Sequence, residues 1–256
     1  MSPDFKPTYY PQEYHNFYSI FNNYNAKLIE VAKPLLHFEP ATILDLACGN
    51  GLSSLALRSN FANAHILGVD IAPDMIELAK TLVQDPKIEF QCQDIETILD
   101  DVHNKTVDMI FIKSAYHHFE HQITLSRLKE VLSKNGVIAI AERTARSART
   151  YPLPEIANRY WADYFAQPRE EHRFTAADSL KLTVCSYGEY VDIPVEDYFQ
   201  AVKNCQIFGT WALKPEVINH WLTEQFTKKL EVFTVFEEFW VYLYKLTIGL
   251  KKNLDN

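Results

Sequence analysis

The segment Ile43-Leu44-Asp45-Leu46-Ala47-Cys48-Gly49-Asn50-Gly51 places an acid at the end of an apolar run and two closely spaced glycines behind it. The run Thr42–Leu46 reads as a buried strand, and the stretch from Leu52 to about Asn60 reads as a helix. Gly49 and Gly51 carry no Cβ, so the backbone between the two elements can turn tightly and approach a ligand. The helix start beyond them presents unpaired N–H groups, which favour an anionic group. In an open α/β sheet, ligands lie outside the carboxyl ends of the strands, where the strand order reverses.

The same rhythm continues downstream. A second apolar run, His65–Val69, ends at Asp70. Pro73 stands where a helix start tolerates it, and Asp74–Leu82 has helical spacing. Ile88–Gln91 is short and β-like and ends near Asp94, while Val107–Ile112 is the continuous apolar run of a buried parallel strand. Leu125–Leu132 is amphipathic, Asn135-Gly136 reads as a turn, and Val137–Ala141 as another buried strand. Strands alternating with helices over 42–142 imply a parallel sheet covered on both faces.

Two flanks break this pattern. Residues 1–41 are helical in the middle and rich in Tyr and Phe, with Tyr14, His15 and Tyr18 on one helical face. Residues 143–227 form a long excursion before an aromatic, β-rich end at about 231–247; within it Tyr187–Val195 reads as a strand, with a helix from Glu196. Excursions of this length are usually functional lids. No internal repeat is present.

The 256 residues are 47% hydrophobic and 23% charged, which excludes collagen-like, low-complexity and disordered classes. A chain of this size buries roughly 70–75% of its unfolded surface and needs no covalent staples. The net charge of −8 gives no global attraction to nucleic acid. Cys48, Cys92, Cys185 and Cys205 are scattered without a C-x-x-C, which argues for a reducing, cytoplasmic setting. No signal peptide is visible at the N-terminus, and the late apolar stretch 230–250 is interrupted by Glu237 and Glu238, so no membrane span is expected. No His, Asp or Glu cluster has metal-ligand spacing. With 14 Tyr and 16 Phe against 7 Gly, much of the aromatic surplus is expected to line a pocket.

A dinucleotide fingerprint requires a third glycine, where this chain has Ser54. Asp45 would repel a pyrophosphate but suits an amino group, and S-adenosylmethionine carries one beside its sulfonium. Asp70, at the second strand end, can accept from both ribose hydroxyls, and Asp94, at the third, from an adenine amine. The plainer alternative is that the three acids merely cap helices.

Over roughly residues 40–142 the chain resembles class I S-adenosylmethionine-dependent methyltransferases. Asp45-x-Ala47-x-Gly49-x-Gly51 is similar to their first motif, with Ala47 in place of the commoner glycine. The resemblance implies a Rossmann-like, doubly wound α/β fold. Its sheet would have seven strands, mostly parallel with an antiparallel last strand, and a helical lid inserted after strand 5. S-adenosyl-L-methionine is the implied cofactor, held by Asp45, Ala47, Gly49, Asn50 and Gly51, by Asp70 and Ile71, by Met75 beside the adenine, by Asp94 and Ile95, by Ser114, and by Tyr18 from the N-terminal cover.

The fourth strand leads into Lys113-Ser114-Ala115-Tyr116-His117-His118-Phe119, similar to the small-molecule branch of the family, type 11/25-like, in which a His follows that strand. The Asn-Pro-Pro-Tyr type of segment that holds planar nitrogens is missing. Methyl transfer needs an in-line approach, which positioning alone favours by roughly 7–11 kcal/mol in good cases. His117, and after it His118, are candidates for a general base or substrate contact, or else shape the loop. Glu142, ending the fifth strand, orients a substrate or pairs with Arg143.

Six of the eight arginines lie between 143 and 173, among Tyr151, Tyr160, Trp161, Tyr164 and Phe165. Guanidinium forks bind carboxylates or phosphates, and rings supply apolar walls. The expected substrate contacts are Tyr14, Tyr116, Arg143, Arg146, Arg149, Tyr160, Trp161 and Tyr164; an amphipathic helix with its arginines in water is the alternative. The expected organisation is one domain, with a cover over 1–41, a core over 42–142, a lid over 143–227 and C-terminal strands over 228–256. The expected activity is methyl transfer to an oxygen or nitrogen of a small metabolite, anionic or partly aromatic, without metal, nucleic acid or membrane, and with the oligomeric state open. The rivals are a cofactor-binding relative that performs no transfer, an RNA or protein methylase, and, more distantly, a nicotinamide dehydrogenase.

Overall fold

Ile43, Leu44, Asp45 and Leu46 are buried in succession, as a central strand covered on both faces requires. The computed structural model describes residues 10–102, 106–116, 125–144, 151–153, 180–203, 215–226 and 231–246. Among them, β1 (Thr42–Leu46), β2 (His65–Asp70), β3 (Ile88–Cys92), β4 (Val107–Lys113) and β5 (Leu132–Arg143) run parallel. β6 (Leu180–Pro194) and β7 (Val232–Leu246) complete a sheet of order β3-β2-β1-β4-β5-β7-β6, in which β7 is antiparallel to both neighbours. This is the expected seven-stranded, mostly parallel Rossmann-like sheet. The order reverses between β1 and β4, where Leu46 is opposite Ile112, so the glycine turn and the end of β4 emerge side by side.

The helices are α1 (Pro11–Tyr18), α2 (Asn22–Ala32), α3 (Leu52–Asn60), α4 (Pro73–Leu82), α5 (Ile95–Asp101), α6 (Leu125–Glu130), α7 (Val195–Lys203) and α8 (Pro215–Phe226). Alternation along the strands sends Ile43, Met109, Phe111 and Ala139 to one face, under side chains of α1, α2, α3, α7 and α8. Leu44, Ile110, Ile112 and Ile138 go to the other face, against α5 and α6. None of the helices among the described residues is long and apolar enough to cross a membrane.

Among the described residues, much of the aromatic surplus goes into the first of these layers. Phe17, Tyr24, Phe61, Phe111, Tyr151, Tyr198 and Phe239 are fully buried there. Their layer is built on ring-to-ring contacts, such as Phe17 on Phe21 at 5.7 Å and Tyr198 on Phe233 at 5.1 Å, both edge-on.

Three boundaries differ from expectation. Asn135-Gly136 lies inside β5, where pairing steps from Val107–Leu132 to Met109–Val137, so these turn residues form an irregularity within a strand. β6 begins at Leu180 rather than Tyr187 and belongs to the central sheet, so the segment assigned to a lid supplies a strand, and α7 starts at Val195. The last segment accordingly contributes one strand among the described residues, paired with β6. Most of the expected helical lid, with Arg146, Arg149, Tyr160, Trp161 and Tyr164, lies outside the described residues.

β6 and β7 pair over 15 residues each, whereas β5 pairs with β7 only up to Arg143 opposite Phe239. Val232–Glu238 therefore runs on past β5 by about 23 Å, at roughly 3.3 Å per residue, on the side of the strand ends that carry the glycine turn. One buried ion pair secures this overhang. Arg143 donates from Nε at 2.8 Å and from Nη2 at 2.5 Å to Oε1 of Glu237, and the Tyr151 hydroxyl donates to Oε2 at 2.7 Å. Tyr24 of α2 adds a 2.7 Å hydrogen bond to the Tyr187 carbonyl of β6.

Glu237 is 1% exposed, and removing it strands a largely buried guanidinium. Glu237→Ala is expected to cost about 3–5 kcal/mol in urea denaturation, while the double variant Glu237→Leu/Arg143→Met recovers most of that loss.

Candidate ligand site at the β1/β4 switch point

Asp45 is 1% exposed. Its Oδ2 accepts from the hydroxyls of Ser53 at 2.7 Å and Ser54 at 2.6 Å, both in the first turn of α3. Its Oδ1 is buried with no partner among the described residues. Burial raises the Asp45 pKa to about 6; the two serine hydrogen bonds oppose the rise, the Asp70 charge adds to it, and Lys113 opposes it.

The turn beyond is left-handed at three positions: Ala47 (φ 56°), Gly49 (φ 55°) and Gly51 (φ 82°). A Cβ on Gly51 would stand 2.7 Å from the Phe90 ring, whereas a Cβ on Gly49 would meet nothing within 4 Å. Gly51 is thus a packing requirement, and Gly49 borders open space. Ala47 adopts a conformation that costs an L-residue roughly 1–2 kcal/mol, which gives a physical reason for the glycine commoner at that position.

Asp70 fastens this turn to the end of β2. Its Oδ2 accepts from the Gly49 N–H at 2.8 Å and its Oδ1 from the Ala72 N–H at 2.9 Å, leaving each oxygen one lone pair. Burial raises its pKa, against the N–H groups of Ala72, Gly49 and Ile71. Ile71 is exposed and Met75 is buried. Asp94 lies beyond the end of β3 and caps α5, its Oδ1 accepting from Glu96 N–H at 2.8 Å. For one oxygen of Asp94 the plainer capping alternative therefore holds. Ile95, the first residue of that helix, is half-buried.

The N-terminal helix touches the turn. Nδ2 of the buried Asn50 lies 3.2 Å from His15 Nδ1, and burial lowers the His15 pKa, so the neutral ring can accept that amide proton. Tyr14 and Tyr18 pack with tilted rings, centroids 4.3 Å apart, and the Arg143 charge opposes the rise that burial gives the Tyr18 pKa.

At the end of β4, Ser114 is left-handed (φ 54°) and its N–H donates to Ala141 of β5 at 2.8 Å. Tyr116 is buried, and His117 and His118 lie outside the described residues. Glu142 is half-buried. Arg143, expected as a substrate fork or a partner of Glu142, is engaged with Glu237, with the Tyr151 and Phe239 rings 5.5 and 5.3 Å from its guanidinium carbon. The sequence reading gave no role to Lys113, whose ammonium sits 4.6 Å over the Phe239 ring. Burial lowers its pKa to about 8, the Arg143 charge acts the same way, and Glu237, Glu142 and Asp45 oppose. A charge closing the run Met109–Ile112 was the visible signal for Lys113, and period-two alternation with Val235 and Phe239 was the signal for Glu237. Among the described residues no three His, Cys, Asp or Glu side chains gather to hold a metal ion.

Residues 43–136 match a family model described as a methyltransferase domain. The chain is similar to a malonyl-[acyl-carrier protein] O-methyltransferase of Acetivibrio thermocellus, with 32% identity over 100 residues, 39% of this chain and 34% of that protein. It is similar also to a trans-aconitate 2-methyltransferase of Variovorax paradoxus, with 27% identity over 158 residues, 60% of this chain and 56% of that protein. The chain thus covers only about a third to a half of the length of these relatives. Among solved structures, phosphoethanolamine N-methyltransferase 2 of Haemonchus contortus in complex with S-adenosyl-L-methionine shares the fold, with a TM-score of 0.51 and 14% identity over 94% of this chain and 58% of that one.

Folding raises the Asp45 pKa from 3.8 to about 6, so the ionised form is the one penalised in the native state. The penalty, up to about 3 kcal/mol, is present above pH 6 and fades as pH falls toward 4. Asp45→Asn should therefore be more stable than wild type in urea at pH 7.5, with the difference closing by pH 4.

Proposed function

Since residues 43–136 form a methyltransferase domain of the class I, Rossmann-like fold, we propose that the protein transfers a methyl group from S-adenosylmethionine to an oxygen or nitrogen of a small, anionic metabolite. One observation carries the reading: a buried carboxylate oxygen without a donor, Asp45 Oδ1, beside a glycine turn that borders open space at Gly49. A desolvated acceptor of this kind calls for a charged donor from a ligand, and the ammonium of the methionine moiety supplies one.

The residues present fit the cofactor. Asp45 takes the ammonium, the remaining lone pairs of Asp70 take the ribose hydroxyls, and Ile71, Met75, Asp94 and Ile95 flank the adenine. Ala47, Gly49, Asn50, Gly51 and Ser114 line the path with backbone. Tyr18, packed against Tyr14, covers it, and the His15–Asn50 contact holds α1 against the turn and excludes water. When bound, the cofactor supplies an electrophilic methyl group on sulfur.

For an acceptor that must lose a proton, His117, or His118 after it, removes it, a contribution of roughly 10²–10⁴-fold. Glu142 orients the acceptor. An acid acceptor is supported by the names of two relatives, which carry malonyl and aconitate groups, and by the arginines of 143–173. Arg146 and Arg149 hold its charge, while Tyr116, Tyr160, Trp161 and Tyr164 wall the pocket. Arg143 acts at one remove, by holding Glu237 and Tyr18 in place.

Isothermal calorimetry with S-adenosylhomocysteine tests the reading. Wild type should bind, and Asp70→Ala should bind roughly ten- to a hundredfold more weakly. Gly49→Ala should fold yet lose binding, because its Cβ enters the open space. No heat from wild type would end this account.

A further inference from the structure

Lys113 is held in a defined place. It is the last residue of β4, and the left-handed Ser114 behind it is tied to β5 through Ala141. Its ammonium lies over the Phe239 ring. Among the described residues it has neither a hydrogen-bond acceptor nor an ion pair. Two nearby acids are engaged elsewhere: Glu237 is taken by Arg143 and Tyr151, and Asp45 binds its two serines through one oxygen, its other oxygen having no partner among the described residues. An ammonium offers three donors, and leaving them idle in a partly desolvated position costs free energy. A strained backbone beside an unpartnered charge is the mark of a position kept for a ligand.

We propose that Lys113 is the seat of a ligand carboxylate, carried either by the methyl acceptor or by the amino-acid end of the cofactor; the second source rests on the methyl-transfer reading above. An ammonium takes a carboxylate through its three donors. Asp45 is opposite Phe111, and Lys113 follows two residues on, so the Asp45 carboxylate and the idle ammonium stand on one face of adjacent strands as an acceptor and a donor of opposite charge, the complement of an α-amino acid. Near neutral pH most of the Lys113 amine remains charged, its pKa of about 8 notwithstanding.

The test compares wild type with Lys113→Met and Lys113→Arg, with Lys113→Gln as a second neutral variant. Calorimetry measures S-adenosylhomocysteine against S-adenosyl-3-thiopropylamine, which keeps the amino group and lacks the carboxylate. Melting curves with malonate, succinate or tricarballylate, and with malonamide as the uncharged control, are recorded with and without S-adenosylhomocysteine. If the carboxylate is the cofactor's, wild type prefers S-adenosylhomocysteine roughly ten- to a hundredfold, Lys113→Met and Lys113→Gln lose that preference, and Lys113→Arg retains most of it. If it is the acceptor's, the neutral variants keep the preference and lose the rise in melting temperature given by the acids. Unliganded Lys113→Met should melt no lower than wild type, because the desolvation of an ammonium without an anionic partner offsets what its contact with the Phe239 ring contributes. The proposal is overturned if both neutral variants keep the preference and the acid response, or if wild type shows neither. Should wild type bind neither adenosyl compound, the methyl-transfer reading fails by itself, and the acid series without S-adenosylhomocysteine still decides Lys113.

Discussion

Ser53 and Ser54 satisfy one oxygen of Asp45 and leave the other bare, and this half-met carboxylate constrains everything around the end of β1. A charge at that depth must be approached by donors, so α3 has to begin with hydroxyl side chains directly above it. The turn between must then climb from strand to helix in a few residues, which forces left-handed backbone at Ala47, Gly49 and Gly51. Asp70 holds that turn from the side through the Gly49 N–H. The arrangement stores free energy in a desolvated acid and a strained alanine instead of minimising it, as binding sites commonly do.

Most of the fold was legible because its core strands are short, apolar and separated by helix starts. β1, β2 and β4 appear in the sequence as largely apolar runs with a charge at or next to their ends, the pattern of strands covered on both sides. β6 was harder. Its outward residues, among them Val184 and Tyr190, are exposed, and it alternates through Ser186 and Gly188, so it looks like loop until β7 is set beside it. Asn135-Gly136 misled for a related reason: turn-forming residues also serve where a strand kinks against its neighbour, and local sequence does not distinguish the two.

At the site, sequence alone brought Asp45, Asp70 and the glycines into one place because each follows a strand by a fixed offset. It could not assign partners across the sheet. Arg143 pairs with Glu237, distant in sequence, and that contact follows from β7 lying between β5 and β6. Glu237 had been read together with Glu238 as an interruption of an apolar stretch, but strand alternation sends the two to opposite faces, and Glu237 is buried. Lys113 went unassigned because a lysine at a strand end is ordinarily a solvated residue; its enclosure under Phe239 depends on the same late strand.

Because β7 enters between β5 and β6, the sheet cannot be completed in the order in which the ribosome delivers it. A nascent chain can pair β1 to β5 early, through crossovers of modest length. β6 has no neighbour until Val232–Leu246 emerges and inserts. Until then the edge of β5 is unpaired, and Arg143 and the aromatic layer it stabilises have no Glu237 to meet. This long-range closure is the slow step that topology imposes, and the newborn protein passes through it with an adhesive β edge exposed.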